Sequence, residues 1–358
     1  MSTYARTRSM VTWATIGVSN PMGQQRYEEE IQAALSEVAD PERWRFRRLS
    51  VCSMRSQNGC DRRYPVRLVA AAPGWAASRA GRVLYGGSHL LHRFDLRLPP
   101  TTGVEVLTVH DVAPLRFPDE GRLPKWAVAG ARRARMVVCP SSFAAAEVKE
   151  LLGVERTAVV HQGLSAVGRG TQPFTPEELV SFGIGPSYIV HAGGATARKN
   201  LAALAGAWPK LAQSHPELWL ALCGPPDDRR TRLFEGLPRV GLLGRLDPPA
   251  LVSRLMAGAR AVVVPSLYEG FGFPAVEGMA YGTPVVAARA GALPEVCQDA
   301  AELVEPDANG LAVGLERVLT DPSLAERLRR NGLARAAEFS WQKAALEHLH
   351  VYERALGE

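Results

Sequence analysis

Short strand-forming runs alternate with helix-period segments along this chain, and the alternation stops once and then restarts. In the first half VTWATIGV (11–18), WRFRRLSV (44–51), LLHRFDL (90–96), VEVLTV (104–109), MVVCP (136–140) and AVV (158–160) read as strands, while QQRYEEEIQAALSEV (24–38) carries apolar residues at helical spacing. Strands that alternate with helices pair in parallel, with the helices covering both faces of the sheet. The stretch GLSAVGRGTQPFTPEE (163–178), rich in Gly, Pro, Ser and Thr, breaks the pattern and reads as a linker. SYIVHAGG (187–194), LWLALCG (218–224), VGLLG (240–244), AVVVP (261–265) and PVVAA (284–288) then resume as strands. Helical patterns stand between them, from Asn200 to about Ser214, at LVSRLMAGA (251–259) and at AVEGMAYG (275–282). The expected fold is α/β: two Rossmann-like doubly wound domains, 1–165 and 175–340. The last helix, within 341–358, is expected to cross back to the first domain. In such sheets ligands bind beyond the carboxyl ends of the strands, so an interdomain cleft is the expected site.

A chain of 358 residues, 46% hydrophobic and 22% charged, has the composition of a globular protein. No run of 18 or more apolar residues reads as a membrane-spanning helix. The five cysteines (Cys52, Cys60, Cys139, Cys223 and Cys297) are scattered, and neither a zinc site nor a disulfide framework is expected from them; a reducing, cytoplasmic setting fits. The net charge of +6 is uneven. Residues 1–165 hold 23 Lys+Arg against 15 Asp+Glu, a net +8, and the remainder holds 19 against 21, a net −2. A basic half suits an anionic partner, unless it only reflects a general preference for Arg. Arg62, Arg63, Arg67, Arg79 and Arg82 lie near Leu68, Val69 and Trp75. Cations mixed with Trp and aliphatics mark interfacial segments, although Pro73-Gly74 interrupts any continuous helix.

The most informative string runs from Pro265-Ser266-Leu267-Tyr268-Glu269-Gly270-Phe271-Gly272-Phe273-Pro274 through Glu277 to Val285. It follows one strand and precedes another. Gly270 and Gly272 let backbone amides approach a ligand closely, Pro274 suits a first helical turn, and a helix N-terminus favours anions. Glu277, expected in the first turn, can accept two hydroxyls of a ribose. One element would thus offer amides to a diphosphate and carboxylates to sugar hydroxyls. Arg198 and Lys199, just after a strand and the Gly193-Gly194 turn, are placed to neutralise a leaving diphosphate. His110 ends a central strand, with Asp111 beside it to hold the ring. Gly23, between a strand and a helix, can bring its amide to a phosphate or an acceptor. Asp227-Asp228 is read as a solvated loop rather than a metal pair.

The Glu269-to-Glu277 string resembles the Glu-seven-residues-Glu motif of retaining GT-B glycosyltransferases, most closely family 4. Ala197-Arg198-Lys199-Asn200-Leu201 is similar to its Arg-Lys-Asn donor-phosphate motif. Gly291-Ala292-Leu293-Pro294-Glu295-Val296 and Phe339-Ser340-Trp341 are similar to two further stretches, and His110-Asp111 with Arg116-Phe117-Pro118-Asp119 resembles the acceptor half of one branch. Many members carry a separate Arg where Gly193 and Gly194 stand here.

The resemblance implies a GT-B fold and retaining transfer of a sugar from a nucleoside diphosphate, GDP-mannose first. The acceptor would be a hydroxyl of a glycan, a lipid-linked sugar or a natural product. It implies catalytic roles for His110, Lys199 and Glu269. Donor contacts would come from Gly194, Arg198, Lys199 and Glu269, with Gly270, Phe271, Gly272 and Glu277 from the loop and its helix. Gly23 would belong to an acceptor or phosphate loop. No cofactor and no metal are expected, nor nucleic acid; contact with an anionic membrane at its inner face is. A GT-B epimerase or hydrolase, or an inactive binding protein, are the alternatives.

Overall fold

The computed structural model describes residues 8–18, 23–164 and 171–357. The chain forms two compact units, one from Met1–Gly163 with Ser340–Glu358 and the other from Leu164–Phe339.

The first unit holds β1 (Ser9–Ile16), β2 (Trp44–Ser53), β3 (Arg62–Tyr64), β4 (Leu90–Arg93), β5 (Glu105–Thr108), β6 (Met136–Cys139) and β7 (Thr157–Val159). Among the described residues these make a parallel sheet in the order β3-β2-β1-β4-β5-β6-β7. The second holds β8 (Tyr188–Ala192), β9 (Trp219–Cys223), β10 (Val240–Gly244), β11 (Ala261–Val264), β12 (Val285–Ala288) and β13 (Glu302–Val304), in the parallel order β10-β9-β8-β11-β12-β13. Both are Rossmann-like. The strand order reverses between β1 and β4 and between β8 and β11, and doubly wound sheets take their ligands beyond the strand ends at such reversals. Central strands are buried on both faces, as Ala261–Val264 and Val285–Ala288 are. This is why they read as unbroken apolar runs rather than alternating ones.

The C-terminal helix Trp341–Leu356 is part of the first unit. Ser340 caps it, accepting from the Lys343 amide at 3.1 Å. Its buried face carries Trp341, His348, Leu349 and Tyr352. The Tyr352 hydroxyl accepts from Trp13 Nε1 at 3.1 Å and lies 2.7 Å from His92 Nδ1; the Tyr27 hydroxyl lies 3.1 Å from His348 Nε2. Both buried hydroxyls are thereby satisfied.

Several local expectations need correction. The run 90–96 is strand only over Leu90–Arg93, because Asp95 turns the chain by accepting from the Arg97 amide at 2.7 Å. Arg62 and Arg63 belong to the edge strand β3, not to an amphipathic segment. The helices Val66–Ala71 and Gly74–Tyr85 follow it, parted at Pro73. Cys52 and Cys60 are paired as a disulfide, which scattered spacing did not suggest. The loop between β2 and β3 folds back, because Cys52 lies opposite Arg63 in the sheet, and this returns Cys60 to Cys52. The other three cysteines are free and buried. Of the linker, residues 165–170 lie outside the described residues, as does most of the Asn20–Gly23 turn. Thr175 and Glu178 form a capping box on the helix Pro176–Ser181, so the linker's end is already part of the second unit.

Candidate functional site

In the second unit the chemistry gathers at the reversal between β8 and β11. After β8 the chain turns through Gly193-Gly194 into a 3-10 turn, Ala197–Lys199. Asn200 then takes a left-handed conformation (φ 53°), which Asn tolerates better than most residues. Its side-chain amide donates to the Pro265 carbonyl at 3.0 Å and the Pro306 carbonyl at 2.9 Å. The Leu267 amide donates to the Arg198 carbonyl at 2.8 Å. These bonds tie the loop after β8 to the loop after β11, and so bring Arg198 and Lys199 to Glu269.

Lys199 Nζ lies 2.6 Å from Glu269 Oε1, Ser266 Oγ donates to the same oxygen at 2.7 Å, and Arg198 Nη1 lies 3.3 Å from Oε2. Burial pushes the Glu269 carboxyl upward. The charges of Lys199 and Arg198 and the hydrogen bonds from Lys199 and Ser266 outweigh it, holding the group below the usual carboxylate range. Glu269 is therefore ionised at neutral pH. Gly291 explains the Gly of the downstream stretch: at φ 59° it passes so close that a Cβ would stand 2.8 Å from the Glu269 amide nitrogen. The Ala292 amide donates to the Glu269 carbonyl at 3.0 Å.

Gly270, Phe271 and Gly272 continue the loop and are buried. Gly272, at φ 100°, is the N-cap of the helix Phe273–Ala280, and Pro274 lies in its first turn. Glu277 is the fifth helical residue and half-buried, so it sits one turn further in than expected. Gly194 has open space where a side chain would be, so a ligand can approach its backbone.

The sequence reading missed Arg230. It is 3% exposed, donates through Nη1 to the Pro225 carbonyl at 3.2 Å and through Nη2 to the Gly193 carbonyl, and leaves Nε without a partner. Near Gly193 and Gly194, where many members of the resembling family carry an Arg and this chain does not, Arg230 brings a cation from another loop and braces the turn. Asp227 is exposed on the loop, as expected, and also caps the helix Asp228–Phe234, accepting from the Arg229 and Arg230 amides at 2.8 and 3.3 Å. His191, 2% exposed, donates from Nδ1 to the Val263 carbonyl at 3.1 Å. Burial lowers its pKa to about 4, so it is neutral beside Lys199.

In the first unit His110 follows β5. Its Nδ1 lies 2.9 Å from Gln162 Nε2, and the Tyr27 ring meets it edge-on at 4.6 Å. Burial lowers the pKa of His110 to about 4. Asp111 does not hold the ring; it accepts from the Ala113 amide at 3.0 Å. Gly23 is exposed and opens the helix Gly23–Val38.

The comparisons agree with the fold. Residues 179–335 match the family Glycosyl transferases group 1. Over these residues, which make up less than half of the chain, it is similar to this glycosyltransferase family, and its fold is GT-B. An MMP alpha-(1->4)-mannosyltransferase of Mycolicibacterium hassiacum is 50% identical over 110 residues, 29% of this chain and 27% of that protein. The matched stretch thus spans about a quarter of that relative's length. O-antigen chain mannosyltransferase B of Escherichia coli is 28% identical over 285 residues, 74% of each protein. Among solved structures, a sucrose-phosphate synthase from Thermosynechococcus elongatus superposes with a TM-score of 0.75 at 22% identity, covering 98% of this chain and all of that one. Anabaena HepE in complex with UDP and glucose superposes at 0.69 with 19% identity, covering 97% of this chain and all of that one.

Proposed function

We propose that the protein transfers a sugar, mannose from GDP-mannose in the first instance, to an acceptor hydroxyl with the anomeric configuration retained and without a metal ion. The observation that carries this reading is the Lys199–Glu269–Arg198 cluster at the β8/β11 reversal, beside Gly194 and the N-terminus of the helix Phe273–Ala280. Two cations and the backbone amides at a helix N-terminus suit a diphosphate whose negative charge grows as the sugar leaves. Glu269, ionised, would accept hydrogen bonds from sugar hydroxyls, and Glu277 would take those of the ribose. The acceptor oxygen bonds to the anomeric carbon as the bond to the diphosphate oxygen breaks, and that phosphate oxygen takes the acceptor proton. The choice of mannose is supported by the two mannosyltransferases to which the chain is similar.

The acceptor side is read from the first unit. The helix Gly74–Tyr85 exposes Trp75, Arg79, Arg82 and Val83 on one face, with Arg79 stacked over Trp75 at 5.3 Å, and Leu68 is exposed on the preceding helix. Cations interleaved with apolar side chains complement an anionic lipid surface, so the acceptor is proposed to be lipid-linked.

Thermal-shift titration of the full chain with GDP, UDP and dTDP tests the donor, because a ligand that binds only the folded state raises the midpoint. Transfer assays with the cognate sugar nucleotide, with and without chelator, test the reaction. A midpoint shift with GDP and chelator-resistant transfer with retention are expected. No shift with any nucleotide, or an inverted product, overturns the reading.

A further inference from the structure

His110 carries a polar atom that the fold buries and leaves unused. Its Nε2 has no hydrogen-bond partner, and neither has Oε1 of Gln162, which is 3% exposed. Between them stands a single bond, Gln162 Nε2 to His110 Nδ1 at 2.9 Å. With the Gln162 amide turned nitrogen-first to the ring, it donates and Nδ1 accepts, and the neutral ring then carries its hydrogen on Nε2.

The segment that presents Gln162 is itself fixed. A Cβ on Gly163 would stand 2.4 Å from the Trp341 backbone nitrogen, so only glycine passes the start of the C-terminal helix there. Trp341 packs on Tyr27 at 5.6 Å, and Tyr27 meets the His110 ring edge-on. Ring and amide are held from both sides.

We infer that Gln162 is a positioning residue: it locks His110 as the Nε2–H tautomer, so that this ring offers a hydrogen bond to an oxygen of a substrate held by the first unit. The ligand half of this inference rests on the proposed transferase reading; the tautomer half does not.

The charged and titratable groups around the ring agree with a neutral donor. Tyr27 faces it from the helix Gly23–Val38 and stays protonated, its pKa pushed up by burial. His348, from the C-terminal helix, is neutral, with a pKa lowered to about 4 by burial. His92, on β4, is likewise neutral by burial. Asp95, just beyond β4, is ionised and draws the His110 pKa upward, but burial of the ring outweighs it. His110 therefore has no titration of its own between about pH 5 and 8, and its hydrogen bond is present throughout.

The test replaces Gln162 in the full-length protein. Gln162→Met keeps the length and removes the donor. Gln162→Glu keeps the shape and reverses the polarity, since a carboxylate accepts from Nδ1–H and favours the imidazolium. Long-range nitrogen–proton spectra of the histidine rings, with His110 assigned by its loss in His110→Gln, read the tautomer directly. The wild type is expected to show protonated Nε2 and bare Nδ1 from pH 5 to 8. Gln162→Met should show mixed tautomers, and Gln162→Glu a protonated Nδ1. In transfer assays kcat should fall about tenfold in Gln162→Met with little change in the donor KM. Gln162→Glu should regain activity as the pH is lowered, because the imidazolium again presents Nε2–H; a merely structural defect would be independent of pH. A protonated Nδ1 in the wild type, or an unchanged tautomer in both variants, overturns the inference. Unchanged kcat and KM in His110→Gln, with the expected spectra, would defeat the transferase role of His110 and leave the tautomer lock standing.

Discussion

Glu277 and Glu28 show how differently a carboxylate behaves according to what surrounds it. Glu277 lies half-buried in the helix whose N-terminus adjoins Glu269. If it receives the ribose hydroxyls, Glu277→Ala removes hydrogen bonds to a charged group, each worth ~1.5–3 kcal/mol. Calorimetry should then show the cognate nucleotide binding about ten- to a hundredfold more weakly. Glu28, in the first unit, is 4% exposed, and its Oε1 accepts from Gln24 Nε2 at 3.1 Å. Burial, helped by the nearby Asp95 charge, raises its pKa to about 8 in spite of the Gln24 bond. The folded chain thus keeps a proton that the unfolded chain releases near pH 4. Stability is full below the unfolded pKa and declines as the pH rises towards 8. Glu28→Gln has no proton to lose. Its melting temperature should match the wild type near pH 4 and exceed it by several degrees at pH 8, at roughly 2–4 °C per kcal/mol for a domain of this size. A difference between the two proteins that does not change with pH would refute the assignment.

At the scale of elements, the sequence declared itself where a segment's own pattern decides its form. β11 and β12 are runs of β-branched residues and Ala, and the helix Gly23–Val38 was visible in its apolar spacing. Among the three-residue strands, β7 was expected at AVV (158–160), whereas β3 and β13 were not, because RRY and ELV are not runs of strand formers and exist only through their neighbours in the sheet. Partnerships were hidden for the same reason. Gln162 reaches back 52 residues to His110, Asn200 reaches 65 residues to Pro265, and Arg230 reaches 37 residues to Gly193. In the Arg-Lys-Asn motif the two cations could be interpreted chemically, but the role of Asn200 as a peg between two loops depends on where β11 ends. The helix Gly74–Tyr85 is the element whose function its exposed face can test. Each cation near an anionic membrane contributes about 1 kcal/mol, and salt screens it. The protein should co-sediment with vesicles containing phosphatidylserine at low salt, and less at high salt or with neutral vesicles. Arg79→Glu with Trp75→Ala should abolish the binding. Equal sedimentation with neutral and anionic vesicles would remove this face from the acceptor reading.

For the whole molecule, the chain's return to its starting unit makes the last nineteen residues part of the first core. Trp341, His348 and Tyr352 are at most 5% exposed. Removing them strips apolar cover from Tyr27 and Trp13 and takes away the partners of Trp13 Nε1, His92 Nδ1 and the Tyr27 hydroxyl. Large-to-small changes at single core positions cost ~2–5 kcal/mol, and a domain's total stability is only about 5–15 kcal/mol. A chain ending at Phe339 should therefore lose the fold of its first unit altogether. The second unit owes none of its sheet to the missing helix, since β8 to β13 all lie within Leu164–Phe339. Its own clusters remain, around Val190 and Val262 on one face of the sheet and Leu204 and Val263 on the other. Scanning calorimetry of the shortened chain should show one transition in place of the full chain's pair or merged transition. Limited proteolysis should degrade 1–163 and spare a fragment of the second unit. That fragment should still bind the nucleotide that stabilises the full chain, because Arg198, Lys199, Glu269 and Glu277 all belong to it. Survival of the first unit without its helix would show that Tyr27, His92 and Trp13 find other partners; collapse of both units together would show that the second depends on the first for its stability.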